Sequence, residues 1–259
     1  MNYRKLFSRE VPFLISKRFH QLVSSKNSKH IEDEITHFIS PTGSHTMRDA
    51  LRRLKTNNIK FKTIIDVGAS DGNWSIAAME FFPQCNYYLI EARKEHEIKL
   101  KIVKDNYRNI DYKIAAAGHR LGKIYFDAEN LFAGQASEIP YENNNIEVPV
   151  TTIDNEIAEQ RLRSPFLLKL DTHGFEKEIL SGSKNSLKDC SVLIIEAYNF
   201  KLTNNSFRFY ELCSYLDSKG FYPFDVVDLM TREKYGAFWQ MDIVFIKKDN
   251  EIYLDNKYA

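Results

Sequence analysis

The chain has 259 residues, of which 43% are hydrophobic, 13% aromatic and 27% charged, with a formal net charge of +1. This length and apolar content suffice for one large hydrophobic core and exclude a disordered chain. The near-zero net charge disfavours a protein that coats nucleic acid. Three cysteines, Cys85, Cys190 and Cys213, form no C-x-x-C pair. We therefore expect buried thiols in a reducing, cytoplasmic compartment.

Residues 1–58 are predicted to form a basic N-terminal arm and a helical preface. Residues 1–30 contain seven lysines and arginines against one acidic residue, Glu10. Cations interleaved with apolar residues are typical of a helix that lies on an anionic membrane surface, which predicts peripheral membrane contact. An arm that packs on the body, or on the partner subunit of a homo-oligomer, is the alternative. Helix-like spacing at Ile31–Ile39 and Thr46–Lys55 completes the preface.

Residues 59–259 show the pattern of an α/β domain, because short β-branched or aromatic runs alternate with helical stretches. The predicted strands are Thr63–Val67, Tyr87–Ile90, Tyr112–Ala116, Phe166–Leu170, Val192–Ala197, Phe224–Val227 and Met241–Lys247. The predicted helices between them are Asn73–Phe82, Arg93–Asp105, Phe175–Ser181 and Phe207–Ser218. The pattern predicts a doubly wound, mostly parallel, seven-stranded sheet of the Rossmann-like type.

An insertion at about residues 118–153 interrupts this alternation. It contains two further predicted strands, Lys123–Asp127 and Glu147–Ile153. Between them lies a polar segment, Tyr141–Asn145, which we interpret as a loop or lid near the substrate.

The strongest local signal is Thr63–Trp74, where a strand containing Asp66 leads into two glycines, Gly68 and Gly72. Glycines allow positive φ and close backbone approach at the carboxyl end of a strand, where nucleotide-like ligands bind. A dinucleotide fingerprint would have another glycine within this turn, and Asp71 would repel a pyrophosphate. Asp66 and Asp71 suit instead the positive charge of S-adenosylmethionine.

Glu91 ends the second predicted strand, twenty-five residues after Asp66. A carboxylate at that position can accept hydrogen bonds from both hydroxyls of a ribose. The predicted cofactor-binding residues are Asp66, Gly68, Ala69, Ser70, Asp71, Gly72, Asn73, Trp74, Glu91, Ala92, Ala116, Ala117 and Asp171.

Two blocks of the sequence resemble a known family. Ile65–Ala69 with Gly72 resembles motif I of class I methyltransferases. Thr151–Asp154 followed by Phe166–Gly182 resembles the LKIDVEG-x-E-x-x-VLKG stretch of FkbM-type methyltransferases. The resemblance covers roughly residues 60–200. It implies a seven-stranded methyltransferase sheet with an antiparallel last strand, S-adenosylmethionine as cofactor, and methylation of hydroxyl groups on sugars or natural products.

Two details of the resemblance concern the acceptor. His173 stands where the family commonly has Glu or Gln. Gly134–Ser137 resembles the small-residue stretch that precedes the family's Thr-x-x-Asp element. In this chain the stretch would form either a substrate contact or a loop turn. Tyr198–Phe200 and Trp239 offer aromatic and amide groups of the kind that bind sugars, although Trp239 also suits core packing.

Methyl transfer to a weakly acidic hydroxyl requires a group that accepts its proton. Asp171, His173 and Glu176 follow a strand at the edge where doubly wound sheets bind ligands, and are the predicted catalytic residues. His173 would be the base, oriented by Asp171 or Glu176. The alternative is a turn that only caps a helix. As a second hypothesis, Asp171, Glu176 and Glu196 would hold a divalent cation that acidifies a sugar hydroxyl.

The leading interpretation is an S-adenosylmethionine-dependent O-methyltransferase whose acceptor is a sugar, glycan or polysaccharide precursor. An NAD(P)-dependent oxidoreductase is disfavoured by Asp71 and the missing glycine. A non-catalytic, methyltransferase-like module that binds nucleic acid is disfavoured because the cations concentrate in the arm and leave the body acidic. We therefore expect no nucleic-acid partner.

Overall fold

The structure, a computed structural model, describes residues 45–127, 134–142, 145–255 and 257. The basic arm and the helix predicted at 31–39 lie outside the described residues. The compact unit that holds the sheet begins at His45. The helix Met47–Thr56, which we had grouped with the preface, belongs to this unit because it buries Ala50, Leu51 and Leu54 in the core.

The described residues form eleven strands and six α-helices. The strands are β1 (Thr63–Val67), β2 (Asn86–Glu91), β3 (Ile110–Ile114), β4 (Ala116–Ala117), β5 (Gly122–Asp127), β6 (Ala136–Ser137), β7 (Asn145–Thr151), β8 (Phe166–Leu170), β9 (Cys190–Tyr198), β10 (Phe221–Thr231) and β11 (Phe238–Lys247). The helices are α1 (Met47–Thr56), α2 (Asn73–Met79), α3 (Glu97–Asn106), α4 (Ile153–Gln160), α5 (Glu176–Ser181) and α6 (Phe209–Ser218).

Seven strands form one sheet in the order β10-β11-β9-β8-β1-β2-β3. β11 runs antiparallel to β9 and β10, and the other pairs are parallel. The α/β, mostly parallel fold is therefore confirmed, with the last strand antiparallel. β1 and β8 are buried along their whole length, because helices and the second sheet cover both faces. This double burial explains why the strands read as continuous apolar runs.

The insertion forms a second, four-stranded sheet in the order β4-β7-β5-β6. The strand predicted at Glu147–Ile153 ends earlier, at Thr151. Thr152 is the N-cap of α4, and its side chain accepts a hydrogen bond from the backbone N–H of Asn155 at 3.1 Å. This capping signal outweighs the β-branched run, and the sequence analysis missed it. Similarly, the third predicted strand ends at Ile114, because Ala116 pairs with β7 in the second sheet.

No helix among the described residues is long and apolar enough to cross a membrane.

Candidate active site

A cavity of about 310 Å³ opens at the carboxyl ends of β1, β2 and β8. This edge is where doubly wound sheets bind their ligands, and the volume lies within the range of small-molecule sites. Among the predicted site residues, those that line it are Gly68, Ser70, Glu91, Ala92, Ala116, Ala117, Asp171, His173 and Glu196. The predicted residues outside its lining are Asp66, Ala69, Asp71, Gly72, Asn73, Trp74 and Glu176.

The turn after β1 brings two strand ends into close contact. Gly68 has φ +75°, and a Cβ placed there would lie 1.9 Å from the backbone oxygen of Asp171. The N–H of Asp171 in turn donates to the oxygen of Val67 at 3.0 Å. Glycine is therefore required at position 68 both by its dihedral angle and by the space available. This contact places Asp171 beside the cofactor turn.

Glu91 forms the acidic wall of the cavity. One carboxylate oxygen accepts a hydrogen bond from the N–H of Ser70 and the other from the N–H of Arg93, each at 2.7 Å. Burial raises the pKa of Glu91. Each carboxylate oxygen can accept a further hydrogen bond, so Glu91 retains capacity for two hydroxyls. The geometry thus fits the ribose of S-adenosylmethionine.

We expect Glu91→Ala to weaken S-adenosylmethionine binding at least tenfold, because hydrogen bonds to a charged group contribute about 1.5–3 kcal/mol each. Titration calorimetry measures this change. Glu95→Ala is the matched control, because this neighbouring carboxylate is half exposed and pairs with Arg93. Unchanged affinity in Glu91→Ala, at an unchanged unfolding temperature, would remove Glu91 from the cofactor site.

The two aspartates of the glycine turn are already paired within the protein. Asp66 is fully buried, accepting from the Ser75 hydroxyl at 2.7 Å and from Lys169 Nζ at 3.1 Å. Asp71 pairs with Lys99 and lies 2.7 Å from His96 Nδ1. Burial opposes ionisation of Asp71, but these two neighbours lower its pKa overall. Both carboxylates therefore stabilise the turn. We had expected both to face the cofactor, but neither lines the cavity.

Lys169 is the central cation of the site. Its side chain is 6% exposed, and Nζ lies 3.1 Å from Asp66 and 3.2 Å from Asp171. Burial opposes the charge, but the two carboxylates raise the pKa of Lys169 overall. Burial likewise favours the neutral form of Asp171, but Lys169, His173 and the hydrogen bond with Glu196 together outweigh it, so the pKa of Asp171 is lowered. The pair keeps an ionised carboxylate at the cavity wall.

His173 faces two carboxyl groups. Its Nε2 atom lies 3.8 Å from Asp171 Oδ1 and 3.6 Å from Glu196 Oε2. Glu196 also accepts hydrogen bonds from the Tyr198 hydroxyl and from the Gln240 amide. Burial, followed by the charge of Asp171, raises the pKa of Glu196 to about 8. Burial thus favours the protonated form of Glu196, whereas the neighbours of Asp171 favour its ionised form.

The structure does not bring Glu176 into this group. The Glu176 side chain is buried at the start of α5, where Oε1 accepts from the N–H of Gly174 at 2.9 Å and from the Thr172 hydroxyl at 3.1 Å. These two hydrogen bonds stabilise the turn that carries His173. Among the described residues, the group that could hold a metal ion is Asp171, His173 and Glu196, whose ligand atoms lie within 4.8 Å of one another. His173 thus takes the place of Glu176 in the predicted metal set.

The raised pKa of Glu196 predicts a pH-dependent stability. The folded state binds a proton that the unfolded state releases at its ordinary pKa, so stability falls as the pH rises through about 8. In a chelating buffer, the unfolding temperature of the wild type should fall more between pH 6 and 9 than that of Glu196→Gln. The exposed Glu138, replaced by Gln, is the control. Parallel curves for wild type and Glu196→Gln would contradict the assigned pKa.

The sequence analysis missed several cavity residues. These are Val67, Ile90, Arg93, His96, Ala115, Phe126, Thr172, Phe175 and Ile179. Gly134 and Ala136 also line the cavity, within the stretch that we had left as a substrate contact or a loop turn. Adjacency to Glu91 could have indicated Arg93, but Phe126 comes from the second sheet, whose placement no local pattern predicts.

Comparisons with known proteins agree with this architecture. The family model described as the methyltransferase FkbM domain matches residues 66–223. No curated protein has a significantly similar sequence.

Several solved structures are similar to this chain at low sequence identity. The precorrin-6y C5,15-methyltransferase of Geobacter metallireducens GS-15 is 14% identical over 76% of this chain and 87% of its own, with a TM-score of 0.41. TrmK of M. capricolum, in complex with S-adenosyl-homocysteine, is 11% identical over 76% of this chain and 67% of its own, with a TM-score of 0.46. The N-terminal domain of EvdMO1 with bound SAH is 13% identical over 77% of this chain and 79% of its own, with a TM-score of 0.44.

The family model covers more than half of the chain and includes the turn after β1, Glu91, and the group of Asp171, His173 and Glu196. This match decides between the alternatives that the sequence left open, because the oxidoreductase interpretation shares only the general sheet. The chain belongs to the FkbM family of S-adenosylmethionine-dependent methyltransferases.

Proposed function

We propose that this enzyme methylates a hydroxyl group of a sugar or polysaccharide precursor. The observation that carries the proposal is the position of His173 Nε2, within 3.8 Å of Asp171 and 3.6 Å of Glu196 at the wall of the cofactor cavity. A neutral amine offers its own lone pair to a methyl donor, whereas a hydroxyl must lose a proton. A base held beside the cavity therefore favours an oxygen acceptor.

Each group has a distinct task in this reaction. S-adenosylmethionine, when bound, supplies the electrophilic methyl group. Glu91 would hold the ribose. His173 accepts the proton of the acceptor hydroxyl, and the ionised Asp171, kept charged by Lys169, stabilises the imidazolium that forms. Burial favours the protonated form of Glu196, which adds no second negative charge to the pair.

The aromatic groups beyond Glu196 support a carbohydrate acceptor. The Tyr198 hydroxyl donates to Glu196, and the Tyr198 ring packs edge-on against Trp239 at a centroid distance of 5.7 Å. Phe200 lies 5.4 Å from the same indole. Trp239 is only half-buried, so these side chains offer the apolar surface on which sugar rings stack.

A second candidate mechanism uses a divalent cation. Two carboxyl groups and an imidazole whose ligand atoms lie within 4.8 Å of one another form a mixed oxygen and nitrogen donor set, of the kind that suits a divalent transition metal such as Mn²⁺. In that mechanism Asp171, His173 and Glu196 would bind the metal, which would acidify a coordinated hydroxyl. Chelation followed by metal addition separates the two mechanisms. Activity that survives chelation supports the base, and activity restored only by a divalent cation supports the metal.

The experiment that tests the proposed function is a labelled-methyl transfer assay across extracted glycans, lipids, RNA and small metabolites. We expect label in the glycan fraction, as an ether that resists mild alkali. His173→Ala should lose this transfer. Label confined to RNA, or methyl groups on nitrogen, would contradict a sugar hydroxyl as the acceptor.

A further inference from the structure

Arg232 lies in the turn that joins β10 to β11 and contacts two of the aromatic side chains described above, Phe200 and Trp239. Arg232 places its guanidinium carbon 4.8 Å from the ring centre of Phe200 and 5.5 Å from that of Trp239. A shallow pocket of about 270 Å³ lies against this group, lined by Thr231, Arg232, Glu233, Lys234 and Trp239. We call Arg232, Phe200 and Trp239 the arginine platform.

The sheet order places the platform on the acceptor side of the catalytic group. β10 ends, and β11 begins, at the same edge of the sheet at which β8 and β9 end. Glu91 lies on β2, on the other side of β8. Tyr198 connects the two regions, because its hydroxyl bonds to Glu196 and its ring contacts Trp239. A molecule that presents a hydroxyl to His173 can therefore extend towards Arg232.

Arg232 is a half-buried cation whose guanidinium lies over two aromatic rings, with the carboxylate of Glu233 in the lining of the same pocket. Its guanidinium forms no ion pair or hydrogen bond with any residue in the described part of the chain. The guanidinium carbon lies over both rings, and this contact restricts the Arg232 side chain before a ligand arrives. A fixed fork of donors beside a pocket matches the paired oxygens of a carboxylate or phosphate. Lys234 offsets the charge of Glu233 at the pocket rim.

We propose that the arginine platform binds an anionic group, a carboxylate or a phosphate, carried by the sugar acceptor. The proposal rests on the sugar acceptor proposed above and narrows it to an acidic sugar. Phe200 and Trp239 hold the guanidinium, and Arg232 forms a bidentate contact with the anion. The hydroxyl to be methylated then lies at His173 while the anionic group stays at the β10–β11 turn.

Saturation-transfer NMR titrations test this without methyl transfer. The probes are sodium glucuronate, glucose 1-phosphate and methyl glucoside, each added to the protein saturated with S-adenosyl-homocysteine. We expect at least one anionic probe to bind the wild type at least tenfold more tightly than methyl glucoside, and Arg232→Ala to lose this preference. The stronger anionic probe distinguishes a carboxylate from a phosphate. Arg48→Ala is the matched control, because Arg48 also lies over an aromatic ring, Phe81, far from the turn in sequence.

Arg232→Lys keeps the positive charge but loses the paired N–H donors of the guanidinium. This variant should retain part of the preference for anionic probes. It also keeps the test informative if Arg232→Ala unfolds. Equal binding of charged and neutral probes to the wild type, or an anion preference that persists in folded Arg232→Ala, would overturn the proposal. If neutral glycans are methylated while neither anionic probe binds, the platform is wrong and the sugar O-methyltransferase proposal stands. If the anion preference depends on Arg232 but no sugar accepts label, the anion site stands and the sugar acceptor is wrong.

Discussion

Replacing His173 with alanine should lower kcat about 100- to 10,000-fold, the range lost when a general base is removed. S-adenosylmethionine affinity should stay within about twofold, because the predicted ribose contact is Glu91 and not His173. Single-turnover transfer of labelled methyl groups gives the rate, and calorimetry gives the affinity. His119→Ala is the control, because this partly exposed histidine lies 3.9 Å from Glu138 on the insertion.

A second substitution separates a chemical role of His173 from a structural one. His173→Gln tests the alternative in which the side chain only fills space, because glutamine keeps a polar side chain but cannot act as the base. Near-wild-type activity in either folded variant would remove His173 from the chemistry.

Replacing Gly68 with alanine should lower the free energy of unfolding more than any other substitution that we propose. The added Cβ would lie 1.9 Å from the oxygen of Asp171, so the ends of β1 and β8 would have to separate. Backbone clashes of this kind cost about 4 kcal/mol or more, which corresponds to roughly 8–16 °C in the unfolding temperature of a domain of this size. Thermal unfolding by circular dichroism measures this loss, and S-adenosylmethionine binding should fall in the molecules that remain folded.

Gly220→Ala separates the two causes of this effect. Gly220 has φ +85°, close to the +75° of Gly68, but a Cβ there would have no heavy atom within 4 Å. Gly220→Ala should therefore lower the free energy of unfolding by only the cost of an alanine in the left-handed region, about 1–2 kcal/mol. Similar losses in the two variants would show that the dihedral angle, and not the approach to Asp171, makes Gly68 necessary.

The strands of the seven-stranded sheet were predictable because the signals that define them lie close together in the sequence. Thr63–Val67 and Phe166–Leu170 were predicted with their observed bounds, since strands buried on both faces are short apolar runs between turn signals. The α4 helix was missed because Ile153 continues a β-branched run, and only the cap at Thr152 signals the change. The second sheet required pairing between Gly122–Asp127 and Asn145–Thr151, which local patterns do not specify.

The cofactor side of the site was easier to predict than its charge pairing. Glu91 and Ser70 line the cavity because strand ends in a parallel sheet meet at one edge. By contrast, the sequence cannot show which carboxylate a buried lysine will neutralise. Lys169 pairs with Asp66, which does not line the cavity, and keeps Asp171 ionised at the cavity wall. Glu176 was misjudged for a similar reason, because its partners are the turn residues beside it.

The most direct test of this account is a crystal structure of the enzyme with S-adenosyl-homocysteine. We predict the ribose hydroxyls within hydrogen-bond distance, about 2.5–3.2 Å, of the Glu91 carboxylate, and the sulfur facing the group of Asp171, His173 and Glu196. A ligand bound away from Glu91, or a sulfur whose open side faces away from His173, would contradict the proposed site and its base.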